Sequence, residues 1–494
     1  MQLYSHCNSS YTTQQSINHR RLQQQQQRTT ITPRPTRILY IVTSMNEYDT
    51  GKRSTTKGYD RFQNTILPVL QESMTSIWQW LQQQHRLSNN QPSATEQPHL
   101  HLYFVAHYNV TRMDLLQQLI QGVKYSNPLP RSESHITFDV WHQATPLGYA
   151  YDNNKSPDRI SEITRGLARQ QRYIVKDLLE DYDMVVAFED DMLVHGSALE
   201  HYWTWTQKLY QGRYGAAKQA NYTVQEALTR FHGDMTLIQW QRMIPGFMRV
   251  EAPLVDFVPT TNNLYSQIPP NYSWDDTAER HIDPSFCCHT TWDESVTRIP
   301  AHPQDLYFWE TSIDVLGIRQ LPTEEWVLLL AGNNDALYPK AEYIIGDYYP
   351  QDYYNNTPRP DRTKSRYMSN QGGWMGTRHQ IVEWHTHWCH GGFLPPFLAP
   401  YHKYDGLHLQ SVEYWSGGGQ LVGPHACHLQ RIIPLEPTEF SRSLLYHTSN
   451  NKQRSPNVRH KFSSRTIDEF WAQLNTIRHR AIRLMEGKEE MKAG

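Results

Sequence analysis

The sequence predicts an α/β fold in which a parallel sheet is covered by helices on both faces. Four short apolar segments between residues 37 and 195 are separated by three segments of helical periodicity. The apolar segments show little polar alternation, which is typical of parallel strands buried on both faces. Beyond about residue 200 this alternation of segments decays, and stretches rich in Pro, Asn and Tyr, at 253–270 and 348–360, predict ordered loops around a cleft.

The elements follow one another regularly along the first part of the chain. Strands are predicted at residues 38–42, 100–105, 136–141 and 184–188, and helices at 66–81, 113–123 and 160–179. We expect the sheet to continue through residues 247–250 and 327–330. A final amphipathic helix is predicted over residues 466–485 and is expected to pack on the body.

Composition divides the chain into a tail, a body and a basic end. Residues 1–36 are dominated by Gln, Ser, Thr and Arg and include a glutamine run at 23–27, which predicts a disordered or stem-like segment. The folded body is predicted over 37–450. Residues 451–494 form a basic C-terminal segment that ends in the predicted helix.

The overall charge of the chain does not produce a positive electrostatic field that would attract nucleic acid to the whole molecule. The chain has 47 basic and 49 acidic residues, for a formal net charge of −2. The mean hydropathy is −0.71. Because no stretch reaches the roughly 18 apolar residues that span a bilayer, no transmembrane segment is predicted. The N-terminus also lacks the apolar region of a signal peptide.

The five cysteines do not form a zinc-binding pattern. No Cys-x-x-Cys pair occurs, and two of the cysteines are adjacent in sequence. One or two disulfides are expected if the protein is secretory. Acceptor triplets for N-glycosylation begin at Asn8, Asn109, Asn221, Asn271 and Asn355, which is compatible with a lumenal location.

Three consecutive carboxylates follow the fourth predicted strand. Glu189, Asp190 and Asp191 come directly after the apolar segment 184–188. In open α/β sheets ligands bind outside the carboxyl ends of the strands, where these acids fall. A divalent cation would offset the repulsion between the acids and bridge a diphosphate, and both Mg²⁺ and Mn²⁺ favour such oxygen ligands.

This strand with its acidic end resembles the Asp-x-Asp signature of the GT-A-fold glycosyltransferases, with Glu in place of the first Asp. The resemblance implies a GT-A-like Rossmann-type sheet covered by helices, with a donor half at 37–195 and a loop-rich acceptor half at 196–450. It also implies that Asp191 binds the metal and that Glu189 contacts the donor ribose or the metal. Glu189, Asp190 and Asp191 would together bind a nucleotide-sugar donor. The implied acceptor is a hydroxyl of a glycan, glycoprotein or glycolipid.

The same resemblance suggests further site residues. Glu413 is similar to the catalytic base of inverting members, and Trp415 and Gly417, which follow it, would contact the acceptor. His447 would complete the metal shell, and Lys452 would contact the diphosphate. Whether configuration is inverted or retained stays open.

Two segments nearer the sheet are also candidates. Thr43 follows the first predicted strand, where the nucleotide usually lies in this fold, and is expected to bind the donor. The loop at 141–149 is a second expected nucleotide wall. Trp374 lies in a glycine-bearing segment, 370–376, where the family has a turn that borders the acceptor.

Other functions remain open from the sequence. His385 and His387 would share one face of a strand, a spacing that can bind zinc. A nucleotidyltransferase would need a glycine- and lysine-rich phosphate loop directly after the first strand. Gly51, Lys52 and Arg53 are a weak match to such a loop. A catalytically silent carbohydrate-binding protein is the third alternative. The expected location is the Golgi or another secretory lumen, with the cytoplasm left open.

Overall fold

The computed structural model describes the chain in separate ranges. The described residues are 35–44, 62–88, 97–107, 109–125, 135–144, 157–219, 235–251, 308–309, 315–330, 343–344, 373–389, 392–395, 418, 421, 427–447, 464–465, 482–483 and 486–487. The predicted loops at 253–270 and 348–360 lie outside these residues. The predicted helix at 466–485 also lies outside them except for residues 482–483.

The described elements comprise fifteen strands and seven α-helices. The strands are β1 (Arg37–Ser44), β2 (His99–Ala106), β3 (His135–Trp141), β4 (Met184–Glu189), β5 (Met192–Leu193), β6 (Met243–Pro245), β7 (Met248–Glu251), β8 (Phe308–Trp309), β9 (Val315–Gln320), β10 (Trp326–Leu330), β11 (Tyr343–Ile344), β12 (Gly373–Thr377), β13 (Gln430–Pro434), β14 (Leu444–His447) and β15 (Ser464–Arg465). The helices are α1 (Leu67–Ser88), α2 (Met113–Tyr125), α3 (Pro157–Leu178), α4 (Gly196–Gln219), α5 (Leu237–Gln241), α6 (Arg378–Glu383) and α7 (Pro437–Arg442). Single π-helical turns, Phe62–Ile66 and Trp384–Trp388, precede α1 and follow α6, and a 3-10 turn, Leu179–Asp181, follows α3.

The first sheet has five strands in the order β12-β4-β1-β2-β3. β1 pairs in parallel with both β2 and β4, and β2 pairs in parallel with β3, whereas β12 adds an antiparallel edge. The chain therefore moves outward from β1 to β3 and then returns to place β4 on the other side of β1. This mixed α/β sheet is compatible with a Rossmann-like fold, and the four strands predicted from the sequence are confirmed.

Both faces of this sheet are buried, as the apolar strands predict. On one face Ile38, Tyr40 and Val42 pack with residues of α1, α2 and α4. On the other face Leu39 and Ile41 pack with residues of α3 and with the rings of Trp374, Trp384 and Phe393. Side chains that alternate along each strand enter opposite cores, so the sheet is the middle layer of three.

A second five-stranded sheet, ordered β11-β9-β10-β13-β6, lies apart from the first. β10 pairs antiparallel with β9 and β13 in it. A three-stranded sheet has the order β5-β14-β7, and β8 pairs with β15 in a two-stranded one. The segments at 247–250 and 327–330 do form strands, but the expectation that they extend the first sheet is wrong.

The body begins slightly earlier than the composition suggests. Thr36 donates through its backbone N–H and its Oγ1 to Asp183 Oδ2, at 2.9 and 3.1 Å. The backbone N–H of Arg37 donates to the same oxygen at 3.0 Å. The Arg378 guanidinium donates to Asp183 Oδ1 at 3.1 Å. This cluster fastens β1, β4 and β12 at the amino-terminal end of β4.

A disulfide joins Cys389 to Cys427 and so links the end of the π-helical turn to the segment that precedes β13. Both cysteines are buried in the core that lies against α3. Among the described residues, no helix combines the length and apolar character needed to cross a membrane.

Candidate functional site

The acidic block, residues 189–191, lies at the point where the order of the strands in the first sheet reverses. β1 and β4 are neighbours in the first sheet, although β2 and β3 come between them along the chain. At such a switch point the loops after the two strands diverge, and the crevice between them is where ligands bind in open α/β sheets. Thr43, near the end of β1, is in register with Glu189, the last residue of β4. Thr43 and Glu189 therefore lie side by side at the carboxyl edge of the first sheet.

The turn that carries the acids is fastened to the end of β1. The backbone N–H of Asp190 donates to the carbonyl oxygen of Thr43 at 3.0 Å. The Thr43 hydroxyl makes a longer contact, 3.4 Å, with the carbonyl oxygen of Phe188. Asp190 and Asp191 are 4% and 3% exposed, and Glu189 is partly exposed. Two adjacent carboxylates are therefore held out of bulk water on a constrained turn.

Helix α1 holds the segment that follows the acids. The backbone N–H of Val194 donates to Ser73 Oγ at 3.1 Å, and that of Gly196 donates to Ser76 Oγ at 2.9 Å. A Cβ on Gly196 would lie 2.5 Å from the Ser76 carbonyl oxygen, so the close approach of α4 to α1 requires glycine there. The acidic turn is consequently tied on one side to β1 and on the other to α1.

Tyr40 reports the electrostatic surroundings of the turn. Burial raises the pKa of its phenol well above the usual range, a hydrogen bond with Ser73 opposes that shift, and the negative charge of Asp190 adds to it. The phenol therefore stays neutral at any working pH. The charge of Asp190 is therefore felt inside the core to which Tyr40 belongs.

The end of the body returns to the acidic block. β14 pairs antiparallel with β5, and in that register His447 faces Met192, the residue directly after Asp191. On its other side β14 runs parallel to β7, with His447 in register with Glu251. The backbones of residues 192, 447 and 251 thus form one row across this small sheet, next to the acidic turn.

Two residues of this region were missed in the sequence. His195 lies four positions after Asp191, and its ring contacts the Tyr446 ring edge-on, with centroids 5.7 Å apart. Burial lowers the pKa of His195, which favours the neutral imidazole. Glu251 reaches the row only through strand pairing. Neither residue carries a local motif, and only the pairing of β5, β14 and β7 reveals them.

Thr43 and Trp374 have different surroundings from those expected of ligand-binding residues. Both side chains are buried, at 5% and 2% exposure. Trp374 belongs to β12, where it is in register with Ala187 of β4, and its ring packs edge-on against Phe393 with centroids 5.0 Å apart. Its indole N–H donates to Gln171 Oε1 at 3.0 Å. An enclosed indole offers no face to a sugar, so we do not retain the acceptor-binding role of Trp374, and we assign the Thr43 side chain to positioning.

Residues 373–376 of the segment expected to be a glycine-bearing turn belong to this same edge strand, and residues 370–372 lie outside the described residues. A Cβ on Gly373 would collide with the backbone of Ala187, and one on Gly376 would lie 2.6 Å from the Trp384 ring. Gly373 and Gly376 therefore allow close packing of β12 against β4 and the Trp384 ring.

The histidine pair at 385 and 387 is helical, so the expectation of a strand with both rings on one face is wrong. The two residues lie in the π-helical turn Trp384–Trp388. His385 Nδ1 accepts hydrogen bonds from the backbone N–H groups of Phe393 and Leu394, both at 3.1 Å. This use of a ring nitrogen gives His385 a structural role in closing the following turn.

Several predicted site residues lie outside the described residues: Glu413, Trp415, Gly417 and Lys452. Within the described ranges, no group of three or more His, Cys, Asp or Glu side chains is arranged to hold a metal. For His447 and Glu251 the structure describes the backbone and not the side chain. In comparisons with known proteins, no family model, no curated protein and no solved structure matches the chain.

Proposed function

We propose that the protein is a metal-dependent glycosyltransferase with a GT-A-like fold that transfers a sugar from a nucleotide-sugar donor to a hydroxyl acceptor. The observation that carries the proposal is the position of Glu189, Asp190 and Asp191 at the switch point between β1 and β4. The return of His447 to the backbone of Met192 supports it. The resemblance to the Asp-x-Asp signature supplies the chemical class.

The donor set fits a hard divalent cation. Carboxylate oxygens are the ligands that Mn²⁺ and Mg²⁺ prefer. Asp191 and His447 would hold the ion, with Glu189 directly or through water. When bound, the ion would neutralise the negative charge of the departing nucleoside diphosphate.

The chain's own residues would prepare the donor site. Thr43 would hold the acidic turn at the carboxyl edge of β1, and Ser73 and Ser76 would hold the segment after it. Such fixed geometry limits the reorganisation needed during transfer. Glu413 is the proposed base for an inverting reaction, on the resemblance alone. Lys452, Trp415 and Gly417 keep their proposed donor and acceptor roles on the same ground.

The disulfide supports a secretory location. Structural disulfides form and persist in oxidising compartments and are rare in the cytosol. Cys389–Cys427 is buried between two elements. A Golgi or other lumenal enzyme that glycosylates proteins, lipids or glycans agrees with this feature.

The proposal is tested by sugar transfer or donor hydrolysis with a panel of nucleotide sugars in Mn²⁺, Mg²⁺ or EDTA. We expect turnover that requires the metal and is abolished by Asp191→Asn. Asp183→Asn is the matched control, because it changes the same residue type at the opposite end of β4. Full turnover in excess EDTA would reject the metal-dependent reaction. Donor binding without turnover would favour the silent carbohydrate-binding alternative, and nucleotidyl transfer would favour the other enzyme class.

A further inference from the structure

Helix α3 buries an unusual run of polar residues beneath the acidic turn. Residues 169–172, two arginines and two glutamines, are all less than 9% exposed. Burying a glutamine is unfavourable unless its amide is hydrogen-bonded on both sides. Gln171 satisfies this condition through Trp374 and Thr43, which belong to strands on either side of β4.

The partners of Gln171 determine which way its amide points. The Trp374 indole can only donate, so Gln171 Oε1 must face it, at 3.0 Å. Gln171 Nε2 then points to Thr43 Oγ1, at 3.4 Å. Reversing the amide would bring two N–H donors together at the indole and is therefore excluded.

This orientation also determines the role of the Thr43 hydroxyl. Because its oxygen faces the Gln171 N–H, its own proton is available for the carbonyl oxygen of Phe188, 3.4 Å away. The carbonyl oxygen of Thr43 meanwhile accepts from the backbone N–H of Asp190 at 3.0 Å. A buried hydrogen-bond chain thus runs from Trp374 through Gln171 and Thr43 to the turn that carries the acids.

We infer that Gln171 is a positioning residue for the acidic turn and sets the cation affinity of the site. This inference rests on the proposed function. Gln171 would act by orienting Thr43, without direct contact with the ion. In metal sites, replacing residues that orient the ligands commonly costs about 10- to 100-fold in metal affinity. We expect the same of Gln171, with the fold retained.

The decisive variant is Gln171→Glu, which is nearly isosteric with the native side chain. A neutral glutamic acid keeps an acceptor for Trp374 and a donor for Thr43, whereas the ionised form has no donor. Burial raises the pKa of a carboxyl group, so the neutral form should persist to higher pH than in water. The variant should therefore behave like the wild type in acid and lose cation affinity as pH rises.

The measurement is the Mn²⁺ dissociation constant of the full chain, followed by electron paramagnetic resonance between pH 5.5 and 8, with and without UDP or GDP. The ratio of variant to wild-type constants should lie near one at the acid end and rise by about tenfold at the alkaline end. Gln170→Glu is the control, because Gln170 is the adjacent buried amide on α3 and is not part of this hydrogen-bond chain. Its ratio should not show that rise. A purely structural role would change the melting temperature without this pH-dependent ratio.

A second variant keeps the inference open to test if Gln171→Glu fails to fold. Trp374→Phe retains a ring but removes the donor that orients the amide, and it should weaken Mn²⁺ binding by several-fold. Unchanged affinity in whichever variants fold, at every pH, would overturn the role of Gln171 alone. Absence of Mn²⁺ binding in the wild type, with or without nucleotide, would overturn the proposed function and this inference together.

Discussion

His447 pairs through its backbone with Met192, the residue that immediately follows Asp191. In sequence these two positions are separated by more than half of the 494-residue chain. The pairing of β14 with β5 brings them together, and β7 adds Glu251 to the same row. Residues from three separate segments of the chain therefore lie next to one another at the candidate metal site after β4.

The amino-terminal end of β4 offers a test that separates stability from function. Asp183→Ala removes the acceptor for three hydrogen bonds from Thr36 and Arg37 and the ion-pair partner of Arg378. We expect a loss of about 2–3 kcal/mol in the free energy of unfolding, measured by urea titration. Cation affinity should be unchanged, since the site lies at the other end of the strand. A large loss of affinity with little loss of stability would contradict this division.

Two truncations locate the start of the body. Removing residues 1–34 should leave the melting temperature unchanged, because that segment has no core-forming pattern in its sequence. Removing residues 1–36 also deletes Thr36, whose N–H and hydroxyl bind Asp183, and should cost about 1–2 kcal/mol. Thermal melts of the two proteins side by side provide the comparison. Equal melting temperatures would show that Thr36 contributes nothing.

His385 is expected to act through its hydrogen bonds and not through zinc. His385→Leu leaves the N–H groups of Phe393 and Leu394 without the ring nitrogen and should cost about 1–2 kcal/mol. Adding Zn²⁺ should shift the melting temperatures of the wild type and the variant equally. If zinc stabilised the wild type alone, the zinc-binding alternative would regain support.

Acid should destabilise the sheet through His99. Burial lowers the pKa of His99 from 6.5 to about 4, with help from the charges of His101, Arg37 and His135. Between these values the unfolded chain binds a proton that the folded chain does not, so stability rises with pH across this window. The contribution is complete above pH 6.5 and is lost as pH falls towards 4.

His99→Gln removes this titration. The melting temperature of the variant should fall less steeply than that of the wild type between pH 6.5 and 4. Thermal melts in a matched series of buffers check the slope. His101 also has a pKa lowered by burial, so some slope should remain. Identical slopes in the two proteins would show that His99 does not contribute.

The first sheet was predictable because each of its strands is a short apolar segment flanked by helical periodicity. The same reasoning found the segment at 327–330 but not its sheet, because β10 pairs with β9 and β13, and a local pattern does not specify distant partners. Trp374 looked like a ligand residue because it stands among glycines, yet those glycines serve the close packing of β12. Gln171 gave no signal, since a polar residue in a helix usually faces water.

Under the proposed function, Asp191 and His447 hold one divalent cation. The most direct test is Mn²⁺ binding by electron paramagnetic resonance, with UDP or GDP present, in the wild type, Asp191→Asn, His447→Ala and the control Asp183→Asn. We predict one bound Mn²⁺ in the wild type and the control, and at least about tenfold weaker binding in the two site variants. Wild-type affinity in Asp191→Asn, or no Mn²⁺ binding by the wild type with any nucleotide, would contradict the claim.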